Sequence, residues 1–176
     1  MQGKPLSIQE ATLHRAISVD PGSAQARRYL AHVLLLQDQL DEAAASAKVA
    51  TNARPDYAAA HFTLGAVYFS KGLKQFAKDE LQEATRLGPD SPEPYSALGI
   101  VLGALGKPEE ATWSLKKATE LAPYDAMIRA ELGRRYLNHG EPDKAAAEEA
   151  FRDWSDPKAA ITCQDYTLMF RSKVTY

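Results

Sequence analysis

Apolar residues in this chain recur at helical spacing, and the recurring set is itself repeated every 34 residues. Leu30, Leu64, Leu98 and Leu132 mark the register. The residue after each is small (Ala31, Gly65, Gly99, Gly133), and three residues further stands a large one (Leu34, Tyr68, Leu102, Tyr136). These positions share one face of a helix. The leucine and the large residue supply area to bury, while the small one lets a second helix come close. Gly72, Gly106 and Gly140 then offer the positive φ that ends a helix. The first unit has Asp38 at that point and is expected to make a less well-formed turn.

A second seam follows in each unit: Ala43, Ala47, Ala50; Ala77, Leu81, Ala84; Ala111, Leu115, Ala118. Steps of four then three draw a narrow stripe of mostly small residues along one side of a helix. Pro108 and Pro142 suit a first helical turn, and Asp41, Glu42, Glu109, Glu110 and Asp143 lie where the helix dipole favours acids. Leu87 and Leu121 extend the seam before Pro89 and Pro123 stop it. The pattern predicts a helical hairpin in each of four units, at residues 21–54, 55–88, 89–122 and 123–156. Each begins at a proline: Pro21, Pro55, Pro89 and Pro123.

The flanks read as parts of units. Residues 6–20 match a second helix without its first, with Leu13, Ala16 and Val19 at seam positions, so an uncovered seam is expected there. In the last unit Glu149 and Arg152 fall on the seam, which calls for a phase shift around Ala150 and Phe151 or for a solvent-facing cap. Residues 157–176 start another helix at Lys158 and become aromatic, β-branched and mildly basic from Tyr166. They are expected to form a capping helix or a tail. Hairpins that cannot bury their apolar faces alone must stack on one another, so the expected class is all-α, one domain over residues 1–176.

The pattern resembles the tetratricopeptide repeat over roughly residues 21–156. In the unit from Pro55 the match is close: Leu64-Gly65, Tyr68, Gly72, Ala77, Ala84 and Pro89 sit where that family's signature places them. The signature's tryptophan is missing throughout, replaced by Arg27, His61, Tyr95 and Arg129. The resemblance implies a right-handed α-solenoid of antiparallel hairpins whose first helices line a concave face. Carried onto this chain, the residues that project into that face are Arg28, His32 and Leu35; Phe62, Ala66 and Phe69; Ser96, Ile100 and Gly103; and Glu131, Arg134 and Asn138. Such a groove would have an apolar middle and polar ends. The competing reading is that Phe62, Phe69 and Ile100 only pack hairpins together. Chaperone-adaptor members of the family clamp a C-terminal carboxylate with Lys, Asn and Arg. Here Arg28 and His32 could imitate the first pair, but Thr63 replaces the asparagine and Glu93 with Ala97 replaces the basic pair. A glutamate facing a carboxylate ligand is repulsive, which argues against that activity.

Composition is that of an ordinary water-soluble chain: 45% hydrophobic and 25% charged in 176 residues. The longest uncharged apolar stretch, Ala97 to Leu105, is too short to span a bilayer, and the N-terminus lacks the apolar run of a signal peptide. The lone Cys163 cannot form an intrachain disulfide, so a reducing, cytoplasmic setting is expected, for the whole protein or for a piece of a larger one. Net charge falls from +1 to 0, −2 and −3 across the four units. That gradient lacks the basic stripe with interleaved aromatics that nucleic-acid binding needs.

Candidate chemistry is sparse. His14, His32, His61 and His139 occupy four phases of the repeat and make no metal-ligand spacing. The stretch Gly103 to Lys107 has the glycines and lysine of a phosphate loop, but Pro108 stands where Ser or Thr is needed. Glu109-Glu110 and Asp41-Glu42 point about 100° apart on a helix, which suits dipole placement rather than acid–base work. No cofactor or metal is expected. The sequence predicts a non-catalytic scaffold that holds a peptide or helix of a partner protein through Arg28, His32, Phe62, Ala66, Phe69, Ser96, Ile100, Arg134 and Asn138. The alternatives are a self-assembly module joined through its ends, giving a homo-oligomer, and the targeting domain of a larger enzyme.

Overall fold

The structure is a computed structural model and describes residues 6–138. The expectations for Gly140, Pro142, Cys163, the second helix of the last unit and the 157–176 segment lie outside the described residues. Within them are eight helices: α1 (Leu6–Val19), α2 (Ala24–Leu36), α3 (Leu40–Ala53), α4 (Ala58–Ser70), α5 (Lys74–Leu87), α6 (Pro92–Ala104), α7 (Pro108–Leu121) and α8 (Ala126–Asn138). The even-numbered helices begin 34 residues apart, and so do the odd-numbered ones. Three residues join α2 to α3, α4 to α5 and α6 to α7, and each of these pairs packs together. Connections that short leave only antiparallel neighbours, which makes each pair a hairpin.

The turns inside the hairpins are the same in all three. Gly72 and Gly106 take φ of 77° and 73°, and Asp38 takes 60° at the equivalent place. The following N–H reaches back to the last turn of the helix in each case, from Gln39 to Leu34 (2.9 Å), Leu73 to Tyr68 (2.9 Å) and Lys107 to Leu102 (3.0 Å). The first turn is therefore as well formed as the others, contrary to the sequence expectation. Aspartate enters the left-handed region more readily than most residues, so the departure from glycine is carried as backbone strain and not as lost hydrogen bonds.

Between hairpins, positions 23, 57, 91 and 125 stand just before the first helices. Ser23 accepts from the N–H of Ala26 at 3.4 Å, and Asp125 Oδ1 accepts from Met127 and Ile128 at 2.9 and 3.1 Å. Those bonds satisfy donors that a helix start leaves unpaired. Tyr57 fills the same position without capping its helix.

The chain divides into two compact units, the first ending at Leu87 and the second beginning at Gly88. In the first, Ala43, Ala47, Ala50, Ala77, Leu81 and Ala84 are all 0% exposed, and Ala31, Ala47 and Leu64 form one buried cluster with Tyr68 packed against it. Helix α1 packs on α2 through the buried Ile17, leaving Leu13 half-buried and Ala16 and Val19 exposed. The uncovered seam expected on α1 is thus present, and the packing residue is one the repeat pattern did not single out. In the second unit Ala111, Leu115 and Ala118 are equally buried, and Tyr95, Ala118 and Ile128 cluster with Leu121 and Ala122. Burying a leucine such as Leu81 or Leu115 contributes about 1.5–3 kcal/mol.

The small first-helix residue and the middle seam residue fit each other in volume. A β-carbon on Gly65 would stand 2.7 Å from Cγ of Leu81, and one on Gly99 would stand 2.6 Å from Cγ of Leu115. Where the first helix has Ala31, the seam has Ala47. Close approach of the two helices is therefore kept in every complete hairpin by trading a methyl group on one side for bulk on the other.

Candidate functional site

In the first unit, α2 and α4 touch each other, which brings two first-helix faces together. Arg28, His32 and Phe62 are half-buried on them, whereas Leu35, Ala66 and Phe69 are buried, Phe69 to 7% exposure. In the second unit Ser96 and Ile100 are buried and Gly103 is half-buried. Ala66, Phe69, Ser96 and Ile100 therefore offer little surface to a partner in their respective units. Phe62 is the large apolar side chain of the set that stays partly accessible. The physical reason is the periodicity itself: a residue one position off the buried stripe can turn inward or outward, and spacing alone does not decide which.

Arg28 is held firmly. Its Nε donates to the hydroxyl of Tyr57 at 3.0 Å, and its guanidinium carbon lies 3.9 Å from the centre of the Tyr29 ring. Arg54 stacks on Tyr57 at 4.9 Å. Such cation–aromatic contacts contribute roughly 0.5–1 kcal/mol where exposed and more where water is excluded. The repeat comparison did not bring out Tyr57, Tyr29 or Arg54, because their contacts do not recur from unit to unit. The signal that could have found them is that Tyr57 occupies a helix-capping position where Ser23, Ser91 and Asp125 stand in the other units.

Helix α8 presents a different arrangement. Arg134 donates to both oxygens of Glu131 at 2.6–3.1 Å, and Arg135 lies across Gly103, whose β-carbon, were there one, would meet the guanidinium at 2.0 Å. Burial pulls the Arg135 pKa down, and Glu131, with Oε1 3.6 Å from its Nε, opposes that shift. In register, Glu131 aligns with Tyr29, and the position matching Arg28 and Phe62 is Ala130. The sequence placement of Glu131 was one residue out of phase. Asn138 ends α8, one residue past the position matching Leu35 and Phe69.

The second helices carry packing and polar clips. His61 sits where the repeat signature has tryptophan, with Nδ1 2.7 Å from Glu80 and Nε2 3.0 Å from the Pro55 carbonyl. Lys48 lies over Tyr68 at 5.7 Å and Lys116 over Tyr136 at 5.9 Å, the same contact two repeats apart. The acids expected at helix starts do serve there: Asp41 binds Lys71, and Glu110 accepts from Lys107 at 2.7 Å. Lys71 holds the Asp41 carboxyl below its ordinary range, through its hydrogen bond first and its charge second. Among the described residues no three His, Cys, Asp or Glu side chains converge to hold a metal ion, and no helix is long and apolar enough to cross a membrane.

Comparison with known proteins agrees with the repeat reading. The tetratricopeptide repeat family model matches residues 10–57. No curated protein sequence matches the chain. Among solved structures, YrrB, described as a tetratricopeptide-repeat protein with an unusual peptide-binding site, is 27% identical with a TM-score of 0.69, covering 90% of this chain and 82% of its own. TTC0263 from Thermus thermophilus is 25% identical with a TM-score of 0.72, covering 92% and 86%. The first repeat domain of Spaghetti (RPAP3), solved with an HSP90 peptide, is 22% identical with a TM-score of 0.64, covering 66% of this chain and 93% of its own. The fold class is all-α, a solenoid-type series of helical hairpins.

Proposed function

Because this chain is a tetratricopeptide-repeat protein, we propose that it is a non-catalytic scaffold whose first helices hold a segment of a partner protein. The observation that carries the proposal is a partly accessible set of polar and aromatic side chains on two touching first helices. Seam residues on α3, α5 and α7 are fully buried, while Arg28, His32 and Phe62 remain partly open on the touching helices α2 and α4. An accessible aromatic ring beside fixed polar groups is the composition of an interface anchor with its rim. The peptide-binding descriptions of YrrB and of the Spaghetti domain support the same use of this fold.

The test is affinity for a partner captured from the native source. Phe62→Ala should weaken binding by about 1–3 kcal/mol, or roughly 5- to 150-fold in Kd, with melting temperature nearly unchanged. Normal binding by a folded Phe62→Ala protein, together with loss on changing Val49 or Gln82 of the second helices, would contradict the proposal.

A further inference from the structure

We propose that Tyr68, Leu73 and Phe76, at the turn end of the α4–α5 hairpin, form a second docking surface. It takes one large apolar side chain from a short segment of a partner protein, with an acidic residue of that segment beside it. None of its residues belongs to the first-helix set Arg28, His32 and Phe62, so the surface adds to the function proposed above. At the start of the second helix, the two other complete hairpins carry polar residues three apart: Gln39 with Glu42, and Lys107 with Glu110, the latter bonded at 2.7 Å. The α4–α5 hairpin has Leu73 and Phe76 at those positions, 39% and 59% exposed. The fold does not require them to be apolar. The same turn hydrogen bond closes at Gln39, Leu73 and Lys107, and the seam residues Ala43, Ala77 and Ala111 are equally buried. An exposed apolar pair in one hairpin, where both others are polar, marks a surface shaped for contact.

Tyr68 completes the patch. Its equivalents Leu34 and Leu102 are buried, whereas Tyr68 stays half-buried and brings its ring centre within 5.6 Å of that of Phe76. Its carbonyl also accepts from the N–H of Leu73 at 2.9 Å, which ties the leucine to the same spot. Lys48 of α3 is exposed and holds its ammonium 5.7 Å from the centre of the Tyr68 ring. Asp79, one turn beyond Phe76, already meets Lys78 at 3.2 Å and Gln75 at 3.0 Å, and Asp41 is taken by Lys71. The charge of Lys48 therefore favours an acidic residue in whatever lies on the patch. Three side chains, none of them fully open, fall far short of the about 800 Å² per partner of a stable protein–protein interface. The occupant is accordingly a short segment with one apolar anchor, and not a second copy of this chain.

The experiment selects peptides from a random display library on the full chain. It discards those that also bind the double variant Leu73→Gln, Phe76→Glu, which restores the residues of the first hairpin. The retained peptides should share a large apolar residue with Asp or Glu close to it. A synthetic copy of the most frequent one, acetylated and amidated, should lose about tenfold or more in affinity on Phe76→Glu. Lys48→Gln should cost less and in a salt-dependent way, and Phe62→Ala should leave the affinity unchanged. Melting curves establish that each variant is folded, and Leu73→Gln takes the place of any variant at position 76 that is not. The proposal would be overturned if no peptide survived the discard step, if the survivors lacked an apolar anchor or carried basic residues beside it, or if folded Phe76→Glu bound with wild-type affinity. Affinity lost on Phe62→Ala and kept on Phe76→Glu would overturn this surface while supporting the first-helix one. A dimer of the unaltered protein in sedimentation that Phe76→Glu dissociates would overturn the short-segment occupant.

Discussion

Leu81 occupies the space that a β-carbon on Gly65 would need, its Cγ lying 2.7 Å from that point. The pair has a counterpart in Gly99 and Leu115, and a volume-shifted one in Ala31 and Ala47. Gly65→Ala should therefore destabilise the protein by about 1–3 kcal/mol, because the helices must part or Leu81 must leave its rotamer. Leu81→Ala should cost about 2–5 kcal/mol through the cavity it leaves. The double variant recreates the Ala–Ala pairing of the first hairpin, so it should be more stable than the sum of the two changes implies, by at least about 0.5 kcal/mol. Urea unfolding of all four proteins gives the coupling, and strict additivity would show that the two residues do not share this space.

The two phenylalanines of α4 should separate stability from binding. Phe69 is 7% exposed, so Phe69→Ala should lower stability by about 3–5 kcal/mol. Phe62 is only half-buried, and Phe62→Ala should cost clearly less in the same unfolding experiment. Equal losses would mean that Phe62 is a packing residue and no anchor.

At the first hairpin turn, Asp38→Gly should stabilise by up to about 1 kcal/mol, since relief of a left-handed φ is partly offset by the extra freedom of glycine in the unfolded chain. Gly72→Ala and Gly106→Ala should destabilise by about 1–2 kcal/mol each at the same position of later hairpins. Thermal melts of the three variants check the order, and a destabilised Asp38→Gly would point to a tertiary role for the aspartate.

The pairing of Asp41 with Lys71 has a pH signature. The folded-state pKa of Asp41 is depressed, so the contribution is present above the unfolded aspartate value of about 3.9 and is lost as pH falls through the lower folded value. Asp41→Asn should therefore flatten the stability curve only on its acid side, below about pH 4. Asp41 is fully exposed, so the change should be small and should shrink further in molar salt. A difference between the two proteins that is confined to acid pH and vanishes near neutral pH would contradict this account.

Much of the fold was legible because repetition reports the same constraint several times. Leu30, Gly65 and Ala118 each gain meaning from their partners 34 residues away, and the helices start in that register. What repetition cannot report is what occurs once. Tyr57 engages Arg28 from 29 residues away, and no other unit shows that contact among the described residues. The burial of Phe69 and Ile100 was one of two readings that the pattern left open, for a related reason: helical spacing places a residue on a face but does not say how closely the neighbouring helix covers it. Asp38 was misjudged because backbone hydrogen bonding tolerates a strained φ that a composition rule treats as a defect.

The central claim, that a partner segment lies along the first helices of the first unit, is tested most directly by site-specific photo-cross-linking. A benzophenone side chain placed at Phe62 on α4, and separately at Gln82 on the exposed side of α5, is irradiated with the captured partner bound. The account predicts efficient cross-linking from position 62, competed by excess unlabelled partner segment, and background levels from position 82. Cross-linking from position 82 with none from position 62 would contradict it.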